Sequence, residues 1–335
     1  MAEGLRIDNL TIAFDRGRQE AISDLSLQVS PGEALGLVGE SGSGKSLASR
    51  AALGLLPANA KVSGRITLGD RSLLDLSPGQ LQAIRGSRIA MIFQDPMSSL
   101  NPVVRVGDAI SQVIRSHETV SRGEARRRAI ELMERVGIRS PAERATSYPH
   151  EFSGGMRQRI MIAMALAARP GMLLADEPTT ALDVIVQAGI LRLLDELRRN
   201  EGMGLLLVSH DLAVVASLCD HIAVMYAGQI VEEGRAGDVL FRPRMPYTVG
   251  LLASTQRSKS LRRLASIPGR PPAPGERPNH CRFADRCPLV TDTCRAGPIP
   301  MFDVGEGQRA RCVRTDKVPS LGTDAFVRDP LAVDA

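Results

Sequence analysis

The sequence predicts an α/β fold, a mostly parallel sheet with helices packed on it. Three observations point there. Short apolar runs at 34–38, 89–93, 172–175, 205–208 and 222–225 read as buried parallel strands. Helical patterns alternate with them through short connections. The first run leads directly into GESGSGKS, residues 39–46, which fits G-x-x-x-x-G-K-[S/T].

That motif is a phosphate cradle. Glycines let the chain turn sharply, so the backbone N–H groups of Gly39, Ser41, Gly42, Ser43 and Gly44 can face an anion. A helix opening with Lys45, Ser46 and Leu47 presents its free N–H groups and positive dipole end to the same anion. Lys45 would reach the β- and γ-phosphates, and the Ser46 hydroxyl would ligate Mg²⁺. A Gly/Ser-rich surface loop is the bland alternative. The strand before it and the helix after it favour nucleotide.

Before the loop, apolar and polar residues alternate. Leu5, Ile7, Leu10, Ile12 and Phe14, then Ile22, Leu25, Leu27 and Val29, predict antiparallel strands with a polar turn at 15–20. Pro31 and Gly32 turn the chain into the loop strand. Residues 62–68 predict another strand, and 81–85 a short helix introduced by Ser77 and Pro78. From 104 to 139 the period is helical, with one face of Val106, Ile110, Val113 and Ile114 and another of Ala129, Leu132, Met133 and Val136. Arg126, Arg127 and Arg128 read as a solvated face. A helical subdomain is therefore expected between strands of the core, at about 95–168. Further helices are expected after Ser153–Gly154–Gly155, over 184–199 and over 212–218. Near residue 255 the character changes: residues 267–278 hold five prolines, and a loop-rich cysteine segment follows. The division expected is 1–254 and 255–335.

Composition bounds the chemistry. Hydrophobic content of 43% and charge of 24% suit an ordinary globular protein. With no Trp, three Tyr and seven Phe, a base-stacking single-strand binder is disfavoured. The net charge of +5 is modest and spread along the chain. The nearest approach to a membrane span, 160–175, is broken by Arg169, Pro170 and Gly171. The N-terminus has no basic region followed by an apolar one. A cytosolic protein is expected, touching membrane only through partners.

The strand at 172–175 ends in Asp176–Glu177. A strand-end Asp beside a phosphate loop suits Mg²⁺, and Glu177 suits a general base for an attacking water. Here the chain resembles the ATP-binding subunits of ABC transporters, a branch of the P-loop NTPases. Phe152–Ser153–Gly154–Gly155–Met156 resembles that family's LSGGQ signature, departing at Phe152 and Met156. The resemblance implies that Ser153, Gly154 and Gly155 bind the γ-phosphate held by an opposite subunit, which makes the pocket composite. It further implies that Gln94 senses Mg²⁺ and the attacking water, and that Ala181–Leu182–Asp183 is the D-loop touching the partner's phosphate loop. His210 matches the switch histidine at the γ-phosphate, and Phe14 matches the aromatic that stacks on adenine, against a plain core role. The catalytic set is then Lys45, Gln94, Glu177 and His210, with Ser46, Gln94 and Asp176 at Mg²⁺. Every motif needed for hydrolysis is present, in the expected order, over about residues 4–252.

Narrower features resemble the di- and oligopeptide importer branch: FQDPMSSLNP (93–102), YPHEFSGGMRQR (148–159), DEPTTALDV (176–184) and RPPAPGERP (270–278). Related members import nickel or opines, so the cargo is less specified than the motor. Cys281, Cys287, Cys294 and Cys312 are spaced C-x5-C-x6-C-x17-C, while Cys219 stands apart. Four thiolates can hold zinc or an iron–sulfur cluster, though the C-x2-C knuckles usual for zinc are missing. The resemblance implies a cysteine set that binds a 4Fe–4S cluster in some relatives; free structural thiols are the alternative. His280 is a further candidate ligand, or a surface residue. The partners implied are a second ATP-binding subunit (a paralogue or a copy), two membrane permease subunits and an extracytoplasmic solute-binding protein. The place implied is the cytoplasmic face of the inner membrane, with no direct nucleic-acid contact. A soluble ABC ATPase acting on nucleic acid is the rival reading.

Overall fold

The structure, a computed structural model, describes residues 3–180, 182–255 and 267–326. The alternation near the N-terminus produces β1 (Leu5–Phe14) and β2 (Gln19–Val29), antiparallel from Leu5 opposite Val29 to Phe14 opposite Gln19. Their inward side chains Leu5, Ile7, Leu10, Ile12, Ile22 and Leu25 are buried. The phosphate loop lies between β3 (Ala34–Val38) and α1 (Lys45–Ala52). Then β4 (Lys61–Leu68) and β5 (Arg71–Ser72) complete a four-stranded sheet in the order β2-β1-β4-β5.

The helix α2 (Pro78–Ile84) starts at a capping box formed by Ser77 and Gln80, and β6 (Ile89–Ile92) follows. Five helices come next: α3 (Pro96–Ser99), α4 (Val106–His117), α5 (Arg122–Arg135), α6 (Pro141–Arg144) and α7 (Gly154–Leu166). Their buried faces include Val106, Ile110, Ile114, Ala129 and Met133, as the helical period predicts. Of the three consecutive arginines, Arg126 and Arg127 are solvated as expected. Arg128 departs: it makes two parallel bonds to Glu118, at 2.6 and 2.7 Å, tying α5 to the end of α4.

The second half alternates β7 (Met172–Asp176), α8 (Val184–Glu201), β8 (Gly204–Ser209), α9 (Leu212–Leu218) and β9 (His221–Tyr226). The neighbours β9-β3-β8-β7-β6 are all parallel. Successive residues of β3 serve opposite faces. Ala34 and Val38 pack into a core with the helices, Leu35 and Leu37 into a second core against the antiparallel sheet. Both faces are covered, which is why the strand reads as one unbroken apolar run.

Past residue 225 the sequence pattern specifies little, and the structure adds β10 (Gln229–Arg235), α10 (Ala236–Phe241) and α11 (Pro246–Thr255). The cysteine segment is loop-rich as expected, with one departure. Its hairpin, β11 (Phe302–Gly305) and β12 (Gln308–Ala310), joins the main sheet through β10, pairing Glu232 with Ala310. The eight-stranded order is β11-β12-β10-β9-β3-β8-β7-β6. Strands this short carry no readable alternation; a buried polar contact holds them, Gln308 Nε2 donating to Glu232 Oε1 at 2.8 Å.

Candidate active site

Parallel strands end at the same edge, and that edge gathers the motif residues. Val38 leads into the loop from β3, Asp176 closes β7, Ser209 closes β8, and Gln94 follows β6. In the loop Gly39, Gly42 and Gly44 have φ of +153°, +77° and +109°. At Gly39 no side chain fits, because a Cβ there would lie 2.0 Å from the Met225 carbonyl oxygen. Ser41 and Gly42 are exposed, Ser43 is buried, and Gly228 N–H donates to the Ser43 carbonyl at 2.9 Å.

Lys45 is buried and donates to the carbonyls of Gly39 and Glu40 at 2.8 and 2.9 Å. Burial pulls its ammonium below the ordinary lysine range, opposed by the carboxylates of Glu177, Asp176 and Glu40. Ser46 Oγ donates to Asp176 Oδ1 at 2.8 Å. Burial raises the Asp176 carboxyl above the usual carboxylate range, against the Ser46 bond that lowers it. A hydroxyl, a carboxylate and the nearby Gln94 amide are hard oxygen donors, the set that Mg²⁺ accepts alongside phosphate oxygens. The site therefore fits that ion.

Glu177 sits at φ +48°, in the left-handed region, and its N–H is held by the Val208 carbonyl at 2.9 Å. A non-glycine residue there costs on the order of 1–3 kcal/mol and persists where its surroundings over-determine it. Three side chains converge on its carboxylate. Gln94 Nε2 donates at 3.0 Å, Thr180 Oγ1 donates at 2.9 Å, and His210 Nδ1 lies 3.3 Å away. Gln94, Glu177 and His210 are thus brought together. Thr180 is an addition, visible in the sequence only as part of the EPTT run.

Other predicted residues lie apart from this group. Ser153 caps α7, accepting from Met156 N–H at 3.4 Å, and no hydrogen bond joins it to the loop among the described residues. Gly155 is small for a packing reason, since a Cβ there would lie 2.5 Å from Val186 Cγ1. Met156 packs on the core instead of reaching outward. Asp183 caps α8 through Val186 N–H at 2.9 Å; Ala181 lies outside the described residues. Phe14 and Leu47 are half-buried against the core of the antiparallel sheet.

The structure gives the iron–sulfur expectation no support among the described residues. The four C-terminal cysteines share a neighbourhood, with Cys281 N–H donating to the Cys294 carbonyl at 3.1 Å. Yet among the described residues no group of three or more His, Cys, Asp or Glu is arranged to hold a metal ion, and the thiols are free. Burial raises the Cys281 thiol, pushes Cys287 up to about 12 and Cys312 up to about 11. Two of the sulfurs have local contacts: Arg314 N–H donates to Cys312 Sγ at 3.3 Å, and Thr291 Oγ1 lies 3.5 Å from Cys294 Sγ. His280 Nδ1 lies 3.2 Å from the Cys281 carbonyl oxygen, its own neighbour, in no ligand set.

Sequence reasoning also missed Glu40, Tyr247 and Arg286, which meet at the back of the loop; no motif marks them. Between β6 and the inserted helices runs a groove of about 590 Å³ lined by Phe93, Asp95, Leu100, Val113, Met161 and Met164. Among the described residues, no helix is long and apolar enough to cross a membrane.

A family model described as ABC transporter matches residues 22–180, and one described as the oligopeptide/dipeptide transporter C-terminal region matches 231–294. The oligopeptide transport ATP-binding protein OppD of Mycobacterium tuberculosis is 46% identical over 323 residues, 95% of this chain and 53% of that protein. This chain thus spans about half the length of that relative. The dipeptide transport ATP-binding protein DppD of Escherichia coli is 45% identical over 312 residues, 92% of this chain and 95% of that protein. Among solved structures, the dimeric post-hydrolysis state of the ATP-binding cassette MJ0796, bound to ADP and Pi, superposes with a TM-score of 0.62. It is 28% identical and covers 69% of this chain and 98% of that one.

Proposed function

The chain belongs to the ABC transporter family of ATP-binding proteins, and from that premise we propose that it is the ATP-hydrolysing subunit of a di- or oligopeptide importer. One observation carries the hydrolytic part: the Glu177 carboxylate, oriented by Gln94 and Thr180 with His210 beside it, stands next to the Ser46–Asp176 pair at the mouth of the loop. Glu177 acts as general base on water. Gln94 and Thr180 aim its carboxylate, and His210 holds the far side. Lys45 leaves its two carbonyls to meet the β- and γ-phosphates. Ser46, Asp176 and Gln94 would hold Mg²⁺, which neutralises developing charge on the phosphates. Loop amides from 39 to 46 cradle the phosphates, and Phe14 offers a ring face to adenine.

Ser153, Gly154, Gly155 and Asp183 face a second ATP-binding subunit, a paralogue or a copy, so that two ATP are sandwiched between two chains. The exposure of Val184 and Ile185, 81% and 85%, beside Asp183 supports an interface there. Two membrane permease subunits and an extracytoplasmic solute-binding protein complete the assembly, and the chain sits peripherally at the cytoplasmic face of the inner membrane. The groove beside Gln94, with Met97 and Val103 exposed at 60% and 78%, receives a permease helix. Residues 1–254 form the motor and 255–335 a C-terminal extension. Peptide is the cargo favoured by the similarity of residues 231–294 to the oligopeptide/dipeptide C-terminal region; nickel and opines are the alternatives.

The test is to co-express the chain with its permeases in membranes and measure ATP turnover with peptides, nickel and opines in turn. Peptide-stimulated turnover is expected. Stimulation by another solute alone would reassign the cargo, and retention on nucleic acid without the permeases would favour the rival soluble ATPase.

A further inference from the structure

Glu40 is the second residue of the phosphate loop, and its polar groups are all engaged. Its N–H donates to the Tyr247 hydroxyl at 2.8 Å, and its carbonyl accepts Lys45 Nζ at 2.9 Å and Ser43 N–H at 3.2 Å. Its carboxylate accepts two bonds from Arg286, at 2.7 and 2.8 Å. That arginine comes from the cysteine segment, immediately before Cys287 and 246 positions along the chain from Glu40. Such a paired contact fixes geometry as well as charge.

Arg286 is itself immobilised. It donates to the carbonyls of Pro268 and Ile267 at 2.7 and 3.2 Å and to the Tyr226 hydroxyl at 3.2 Å. Its guanidinium lies over the rings of Tyr226 and Phe283, 5.7 and 5.8 Å from their centroids. Those rings and Tyr247 form a buried aromatic cluster. The segment holds the loop's supports too. Arg282 donates to the Ala227 carbonyl at 2.6 Å and to Ser23 Oγ at 2.9 Å, and Arg277 donates to the carbonyls of Glu20 and Ala21 at 2.7 and 2.8 Å. Next to Ala227, Gly228 carries the bond to Ser43.

We propose that Arg286 is a positioning residue for nucleotide: anchored in the cysteine segment, it fixes and neutralises Glu40, so that the packing of that segment and the affinity of the phosphate loop are linked. A free Glu40 carboxylate would repel a triphosphate and release the carbonyl on which Lys45 and Ser43 rest. The inference depends on the loop binding nucleotide, as proposed above. Linkage is reciprocal, so nucleotide should in turn tighten the cysteine segment.

The experiment uses the full chain with Mg²⁺ and mant-ATP, a fluorescent ATP analogue, together with the rate at which an aromatic disulfide labels the cysteines. Arg286→Met should weaken mant-ATP by about tenfold, within the usual range of coupling between sites. Arg286→Lys, a point charge without the fork, should recover part of the loss. Glu40→Gln should weaken binding as well, and the double variant Glu40→Gln/Arg286→Met should be no weaker than the poorer single one, because both break the same contact. Nucleotide should slow labelling in the wild type and not in Arg286→Met, which a merely structural arginine would not produce. Wild-type affinity in a folded Arg286→Met chain would overturn the inference. Should that variant lose its cooperative thermal transition, Glu40→Gln decides, since it leaves the other bonds of Arg286 in place; unchanged affinity there overturns it equally. A wild-type chain that fails to bind mant-ATP would remove the nucleotide reading itself, and this inference with it.

Discussion

Replacing Glu177 by Gln isolates one function. The amide is isosteric, so the φ of +48° and the N–H bond to Val208 stay as they are. Its oxygen still accepts from Gln94 or Thr180, which now donate to the carboxylate at 3.0 and 2.9 Å. What disappears is the capacity to take a proton from water. General-base catalysis contributes about 10²–10⁴ in rate, which corresponds to about 3–5 kcal/mol of barrier. Binding should not suffer, because Lys45 and Ser46 keep their partners at Gly39, Glu40 and Asp176. Removing a negative charge near Lys45 would, if anything, ease the approach of a triphosphate. The assay is phosphate release by the assembled transporter, with mant-ATP binding measured on the same preparation. We expect turnover to fall by about 10²–10⁴ with affinity retained. Turnover within about threefold of wild type would refute the base assignment, since no positioned base contributes so little; so would equal losses in binding and turnover, which would mark Glu177 as a binding residue.

Three further outcomes are expected. Ser153→Ala removes a helix cap worth about 1 kcal/mol; mant-ATP binding to the lone chain should be unchanged while turnover in the assembly collapses, and unchanged turnover would refute the composite pocket. Gly39→Ala drives a methyl to 2.0 Å from the Met225 carbonyl oxygen, so the folded variant should lose nucleotide affinity, as read by mant-ATP titration and by calorimetry. Burial pushes the Glu232 carboxyl up to about 7 from an ordinary 4.5, so the folded chain binds its proton more tightly than the unfolded one. Its contribution is present in full below the unfolded value and is lost as pH rises through about 7. Glu232→Gln should therefore stabilise the fold relative to wild type at pH above 7 by on the order of 1–3 kcal/mol, read as a higher melting temperature, with the gain shrinking toward pH 5; a gain independent of pH would refute the titration argument.

The sequence alone determined the phosphate loop, the order of strand and helix around it, and the carboxylates at the end of β7. These rest on local rules: backbone freedom at glycine, apolar runs of strand length, and the periods of helices and strands. It also supplied Gln94 and His210, though only through resemblance, because a lone Gln or His at a strand end carries no physical signal of its own. Tertiary structure decided what those residues share. Gln94, Thr180 and His210 meet on one carboxylate because β6, β7 and β8 run parallel and end together. It likewise decided that Gly155 is small to admit Val186, and that Cys281, which sequence spacing sets 13 positions from Cys294, donates its N–H to the Cys294 carbonyl in one loop cluster. The contact between Glu40 and Arg286 joins residues 246 positions apart, and no periodicity or spacing encodes it. Contacts of that kind arise when separate apolar surfaces pack and the buried charges between them must find each other, which only the folded chain can arrange.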